Sequence, residues 1–278
     1  MDRQIRLHYA SDNLAQRIFK ALEDAGKNLS ELGLEDYARV DQLHTGGAMA
    51  TTGLVTSAGF SAGARILDAG CGLGGSSRLL ARDYGHLVTG VDLSGTLIQA
   101  AKDLTRQVCL EKAPLFLQSS VADLPFKARL FDGVLCQHIL MNIPDKQSAV
   151  QELCRVLKDG GKLVLHEIVS GENEMMCFPV PWAQGPEISH LQSWNTIETL
   201  LTDAGCRPIM VSDETAQAAA WWARVKKAAN SSGRPPSKLG PALVFGENAA
   251  QFGKTMSANI GQGAIQIFKA VFKKTASC

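Results

Sequence analysis

A chain of 278 residues, 45% hydrophobic and 20% charged, can bury one sizeable core in a single unit with insertions. Its formal net charge of +1, with both signs interspersed, supplies no basic stripe for a phosphate backbone, so no nucleic-acid partner is expected. No uninterrupted apolar run is long enough for a membrane span, and the opening MDRQIRLHYASDNLAQ has no secretory apolar core, so the expected compartment is the cytoplasm.

Along the chain, residues 12–25 predict a helix with Leu14, Ile18, Phe19 and Leu22 on one face, Ser11 or Asp12 as its cap and Gly26 as its stop. A second helix from about Ser30 leads into Val40 to Gly47, where Gly46-Gly47 predicts a loop with close backbone approach. From Arg65 strands and helices alternate: strand 65–69, helix 75–84, strand 87–91, helix 94–108, strand 115–118, strand 133–137, helix 146–157 and strand 162–168. Such alternation calls for a parallel sheet with helices on both faces. Lys158-Asp159-Gly160-Gly161 supplies a stop and a tight turn. Helix 196–204, strand 208–211, an Ala/Trp-rich helix 214–229, a loop at 231–237 and a final strand from Ile265 complete the pattern. The expected organisation is an N-terminal helical cap segment (1–60), an α/β core (61–213), a lid insertion (214–262) and a last core strand (263–278). Seven scattered cysteines with no C-x-x-C pair suggest buried thiols in a reducing compartment, not a disulfide framework or a zinc site.

The strongest chemical signal is Asp68-Ala69-Gly70-Cys71-Gly72-Leu73-Gly74-Gly75, between a strand and a helix. Glycine is needed there because the turn is tight and a side chain would keep a ligand off the backbone. Gly70, Gly72 and Gly75 fit the dinucleotide pattern G-x-G-x-x-G, whereas Asp68 to Gly74 fit D-x-G-x-G-x-G. Asp68 would oppose a pyrophosphate but suits the amino end of a methionine-like ligand. A preceding segment of about sixty residues is also more than dinucleotide domains usually need. Asp92, ending the second strand, can accept both ribose hydroxyls of either ligand; the alternative, an N-cap, is a role that Ser94 fills better.

Further on stand Leu124-Pro125-Phe126, Leu130-Phe131-Asp132-Gly133-Val134-Leu135 and Val156-Leu157-Lys158-Asp159-Gly160-Gly161-Lys162-Leu163. With the glycine loop and Asp92, these steps make residues 61–171 resemble the class I S-adenosylmethionine-dependent methyltransferases of the small-molecule (type 11) group. Ser119-Ser120-Val121 and Cys136 to Asp145 are similar, more loosely, to sarcosine and dimethylglycine N-methyltransferases. The resemblance implies a doubly wound, mostly parallel seven-stranded Rossmann-like sheet with N-terminal helices and a C-terminal lid. It implies S-adenosylmethionine as cofactor, held by Asp68, Gly70, Cys71, Gly72, Asp92, Leu93, Ser120, Val121 and Gln137. One position departs: Ser120 stands where many relatives carry Asp for the adenine amino group, which shifts adenine selectivity toward backbone groups near Val121.

On the acceptor side, His138 follows the fourth strand and is the candidate general base; the alternative is a histidine that only shapes the pocket. His44, beside the glycine pair, either contacts a ligand or caps a helix, and His166 inside the fifth strand reads as a satisfied core residue. Trp182 and Trp221, with Trp222, lie in the segments expected to cover the site, where an aromatic face attracts an amine or a sulfonium. Because helix neighbours point about 100° apart, Trp221 and Trp222 cannot both face the pocket equally. No metal-ligand spacing occurs and the reaction expected here requires none. The expected function is methyl transfer to a small molecule, with an amino-acid-derived amine such as sarcosine or dimethylglycine ahead of O- or C-methylation of a phenolic or prenyl-lipid acceptor. An NAD-dependent oxidoreductase and an inactive S-adenosylmethionine-binding scaffold are the alternatives, and a homodimer stays open.

Overall fold

The computed structural model describes residues 13–173, 175–231 and 239–276. The cap expected at Ser11 or Asp12 and most of the 231–237 loop lie outside that set. The first helix, α1 (Leu14–Asp24), buries Leu14, Ile18 and Leu22 on one stripe. After a short 3₁₀ turn comes α2 (Leu34–Asp41), which starts later than expected because Asn28 caps the turn, not a longer helix.

Gly46 adopts φ 83° and so fits the expected loop, but Gly47 opens a helix, α3 (Gly47–Ala58), where only loop was expected. Its sequence, GAMATTGLVTSA, is rich in glycine and threonine, which disfavour helix on propensity alone. Tertiary burial of Thr51, Leu54, Val55 and Ala58 overrides that preference.

The core elements follow as β1 (Arg65–Ala69), α4 (Gly75–Tyr84), β2 (Leu87–Asp92), α5 (Gly95–Arg106), β3 (Leu115–Gln118), β4 (Phe131–Gln137), α6 (Lys146–Val156) and β5 (Leu157–Ser170). Then come α7 (Trp194–Asp203), β6 (Cys206–Asp213), α8 (Thr215–Ser231), α9 (Ala242–Phe245), α10 (Phe252–Gly261) and β7 (Ile265–Lys274). Strand order in the seven-stranded sheet is β3-β2-β1-β4-β5-β7-β6. β1 to β5 pair in parallel, and β7 runs antiparallel to both its neighbours. This is the doubly wound α/β arrangement expected from the alternation of elements.

Strands buried on both faces need apolar residues at consecutive positions. Ile66, Val88, Leu135 and Val164 pack under α3 and α4, while Leu67, Val134, Leu163 and Leu165 pack under α6 and α7. Each such Leu, Ile or Val contributes roughly 1.5–3 kcal/mol by leaving water. Chain order reverses between β1 and β4, so their crossovers leave to opposite faces and open a crevice beyond their carboxyl ends. α1 and α2 cover one flank of that crevice, packing on α5. α8 and α10 pack with Trp182, Ile265 and Ile267 in a separate apolar cluster. Among the described residues no helix is long and apolar enough to cross a membrane.

Candidate active site

A cavity of about 390 Å³ occupies this crevice. It is lined by Asp68, Gly70, Cys71, Gly72, Asp92, Leu93, Ser120, Val121, Gln137, His138, His44 and Trp182, and so brings the expected cofactor residues together with three of the expected acceptor-side residues, but not with Trp221 or Trp222. Trp221 instead packs edge-on against Trp222, ring centroids 4.7 Å apart. Trp222 is buried and its Nε1 donates to Thr45 Oγ1 at 3.2 Å, which joins α8 to the loop carrying His44.

The glycine loop folds back over β2, with Gly70 N and Cys71 N both donating to Val91 O at 2.8 and 2.9 Å. Gly70, Gly72 and Gly74 have φ of 75°, 53° and 78°, in the left-handed region that side chains disfavour. They differ in surroundings. A Cβ on Gly70 would sit 2.0 Å from Ile139 Cδ1, whereas one on Gly72 would meet no atom within 4 Å, because Gly72 faces the cavity.

Asp92 ties the two loops of the crevice together. Its Oδ2 accepts from Gly72 N at 3.0 Å and its Oδ1 from Ser94 N at 2.8 Å. Ser94 caps α5, its hydroxyl accepting from Leu97 N, which leaves the Asp92 carboxylate free of that duty. Burial pushes the Asp92 carboxyl up, against the two N–H donors that favour its ionised form. Asp68 accepts from Ser77 Oγ at 2.5 Å; burial pushes it up to about 6, a rise that Ser77 opposes. Ser120 Oγ accepts from Ala122 N at 3.2 Å, so one of its two lone pairs is engaged in its own turn.

Gln137 ends β4. Its Oε1 accepts from Thr51 Oγ1 at 3.0 Å and Ser76 Oγ at 3.2 Å, which fixes the amide orientation. Nε2 is thereby left buried without a partner in the cavity wall. A buried amide N–H₂ without an acceptor costs about 1–3 kcal/mol, so the site is built for an acceptor atom there.

His138, next along, takes φ 55° with its N–H donating to His166 O at 2.8 Å. The backbone turn is held by Glu167, fully buried on β5, whose carboxylate accepts from Ile139 N (3.0 and 3.1 Å) and Leu140 N (3.2 Å). Burial pushes Glu167 up to about 7, opposed first by the Ile139 N–H. The His138 ring lies 6.1 Å from that of His44 and 5.0 Å from that of His166, and its Nε2 is buried without a partner. Burial, then the neighbouring imidazoles, holds His138 well below the usual histidine range, so it is neutral. His44 Nε2 lies 2.9 Å from Gly47 O and 3.1 Å from Thr51 Oγ1. A carbonyl can only accept, so the His44 proton is on Nε2 and its Nδ1 is bare. Burial lowers His44 to about 4. His166 is 2% exposed with Nδ1 unpartnered, so it is buried as expected but not the satisfied core residue expected there.

Several wall residues carried no sequence signal. Asp41 lines the cavity and forms a buried ion pair with Arg78 at 2.7 Å, side chains 3% and 0% exposed. Arg78 also donates to Leu73 O at 2.8 Å, so the pair fastens the N-terminal segment to the glycine loop. Met141, Ile143, Pro144, Pro181, Val244 and Phe245 make an apolar wall with Trp182. Trp182 is itself fixed by Nε1 donating to Ser189 Oγ at 3.0 Å and by its carbonyl accepting from Asn142 Nδ2 at 2.9 Å.

Residues 67–165, which hold the glycine loop, Asp92 and His138, match the family model described as methyltransferase domain. Residues 67–165 carry a methyltransferase domain, on the class I fold. Over 103 residues it is 41% identical to 2-methyl-6-phytyl-1,4-hydroquinone methyltransferase of Synechocystis sp., covering 37% of this chain and 31% of that protein. Over 109 residues it is 35% identical to the glycine/sarcosine/dimethylglycine N-methyltransferase of Actinopolyspora halophila, covering 39% of this chain and 19% of that one. The chain spans about half or less of the length of these curated relatives. The chain shares its fold with geranyl diphosphate C-methyltransferase from Streptomyces coelicolor (TM-score 0.65, 18% identity, 82% and 79% of the two chains). The glycine spacing that left a dinucleotide open is thus decided for the methyltransferase reading.

Proposed function

We propose that the chain methylates a hydroxyl-bearing, largely apolar small molecule, such as a phenol or hydroquinone, with S-adenosylmethionine as donor. The observation that carries this acceptor class is the neutral His138 ring beside the wall of Met141, Ile143, Pro144, Pro181, Val244 and Phe245. An apolar wall gains from an aromatic acceptor, and a neutral imidazole can take its O–H proton.

The cavity's own groups fit the cofactor. The open side at Gly72 admits a ligand against the backbone, Asp92 offers carboxylate oxygens to a ribose, and the unpartnered Gln137 Nε2 offers a donor to a carboxylate or other acceptor. When bound, S-adenosylmethionine supplies a sulfonium-activated methyl group. The protein's share is then alignment, exclusion of water and removal of one proton from the acceptor. His138 performs the last, held in place by His166 O and by Glu167 through the Ile139 and Leu140 amides. The segment 214–262 serves as the lid, with Val244 and Phe245 as its cavity-facing part.

A second reading is an amine acceptor, the class named for the Actinopolyspora halophila relative. Labelled methyl transfer from S-adenosylmethionine to matched panels of phenols, hydroquinones, sarcosine and dimethylglycine separates the two. Label in the hydroxyl compounds is expected. Label confined to the amines would overturn the acceptor class. Calorimetric binding of NAD without any of S-adenosylhomocysteine would overturn the cofactor as well, and cofactor binding with no product from metabolite extracts would favour a scaffold.

A further inference from the structure

Away from the cavity, two of the scattered cysteines meet. Cys154, near the end of α6, and Cys206, the first residue of β6, lie 52 positions apart in sequence with their sulfurs 2.8 Å apart. Both are buried against Leu153, Leu201 and Phe272. Two sulfurs held this near need almost no backbone movement to close the distance to a covalent S–S bond. We infer that Cys154 and Cys206 are a thiol–disulfide modification site that covalently joins α6 to the edge strand β6.

Either sulfur can donate in the 2.8 Å contact, so either can supply the attacking thiolate. Lys274, whose Nζ donates to Leu157 O at 2.8 Å, adds a positive charge that favours the thiolate of either. The oxidant is a small-molecule disulfide. The thiolate of one cysteine attacks it and releases one thiol, and the other cysteine, giving up its proton, then displaces the second. One S–S bond breaks and one forms, and the two electrons and two protons lost by the cysteines leave on two small thiols. Access comes through β6, an edge strand that begins at Cys206 itself. Neither cysteine lines the cavity, so the bond acts on stability and not on methyl transfer.

The test is to equilibrate the full chain with oxidised and reduced glutathione at several ratios, quench with an alkylating agent and map the peptides without reduction. A Cys154–Cys206 cross-link is expected, with the thermal midpoint raised by roughly 5–10 °C, because a bond closing a loop of this length removes much of the unfolded chain's freedom. Cys154→Ala and Cys206→Ala should each abolish the oxidation-dependent shift while leaving methyl transfer within about twofold of the parent. Alkylated thiols at both positions, even after refolding from denaturant in the same redox couple, would overturn the assignment. A cross-link from either cysteine to Cys109 or Cys177 would also overturn it.

Discussion

Adding one methyl group to Gly70 or to Gly72 should separate packing from ligand approach. At Gly70, alanine must hold φ 75°, which costs about 1–2 kcal/mol for an L side chain. Its Cβ would also lie 2.0 Å from Ile139 Cδ1 and 2.5 Å from Cγ1, an overpacking that typically adds about 1–3 kcal/mol. The sum, roughly 2–5 kcal/mol, should lower the thermal midpoint by about 5–15 °C. At Gly72, alanine carries the backbone term alone, because its Cβ meets no atom within 4 Å, and the midpoint should fall by only about 2–6 °C. The same Cβ projects into the cavity, and fitting a ligand around it at about 1–3 kcal/mol corresponds to a Kd for S-adenosylhomocysteine raised about 5–150-fold. Differential scanning calorimetry and isothermal titration on both variants read the two quantities. A folded Gly72→Ala chain that binds S-adenosylhomocysteine with parental affinity would refute the placement of the cofactor against this loop.

Three further outcomes follow from the same site. Asp92→Asn must turn its NH₂ toward either Gly72 N or Ser94 N, and S-adenosylhomocysteine affinity should drop at least about tenfold; an unchanged Kd by titration calorimetry would contradict the ribose role. His138→Gln should lower kcat on a hydroxyl acceptor by about 10²–10⁴ with cofactor Kd within about twofold, and parental kcat/KM should stay flat from about pH 6 to 8 because the ring is already neutral there. A parental inflection near 6.5 would count against His138 as the base. Glu167, raised from 4.5 to about 7, keeps in the folded chain a proton that the unfolded chain releases. Stability should therefore fall as pH rises through that window, by up to about 3 kcal/mol, and then level off. Denaturant titrations of parent and Glu167→Gln between pH 4.5 and 7 should show a steeper fall in the parent, the remainder in the variant coming from buried carboxyls such as Asp68; parallel curves would be the contrary result.

What could be read from the sequence was what is local. Asp68 to Gly75 and Asp92 announce themselves because a turn's chemistry and a strand's end are written in adjacent residues. Helix α3 was missed because its glycines and threonines argue against helix, and only the burial of Leu54 and Val55 under the sheet settles it. The Arg78–Asp41 pair spans 37 positions and the Thr51–Gln137 bond 86, distances over which no periodicity carries information. Val244 and Phe245 reach the cavity from a segment with no regular pattern. The adjacent tryptophans show the limit of helix geometry: it predicts that they point apart but not where, and Trp221, expected toward the acceptor, lies with Trp222 outside the cavity wall, Trp222 donating to Thr45.

The position of β7 has a consequence for how the molecule is assembled. It is the last of the seven strands in sequence but lies inside the sheet, between β5 and β6. During synthesis β1 to β5 can zip up in order as they emerge, while β6 has no neighbour to bond until residues 265–274 arrive. The 214–262 segment is then closed into a loop whose two ends are stitched side by side. The two strands thereby fasten the α8 and α10 cluster to the sheet from both sides, so the last ten residues of strand to be made are the ones that lock it in place.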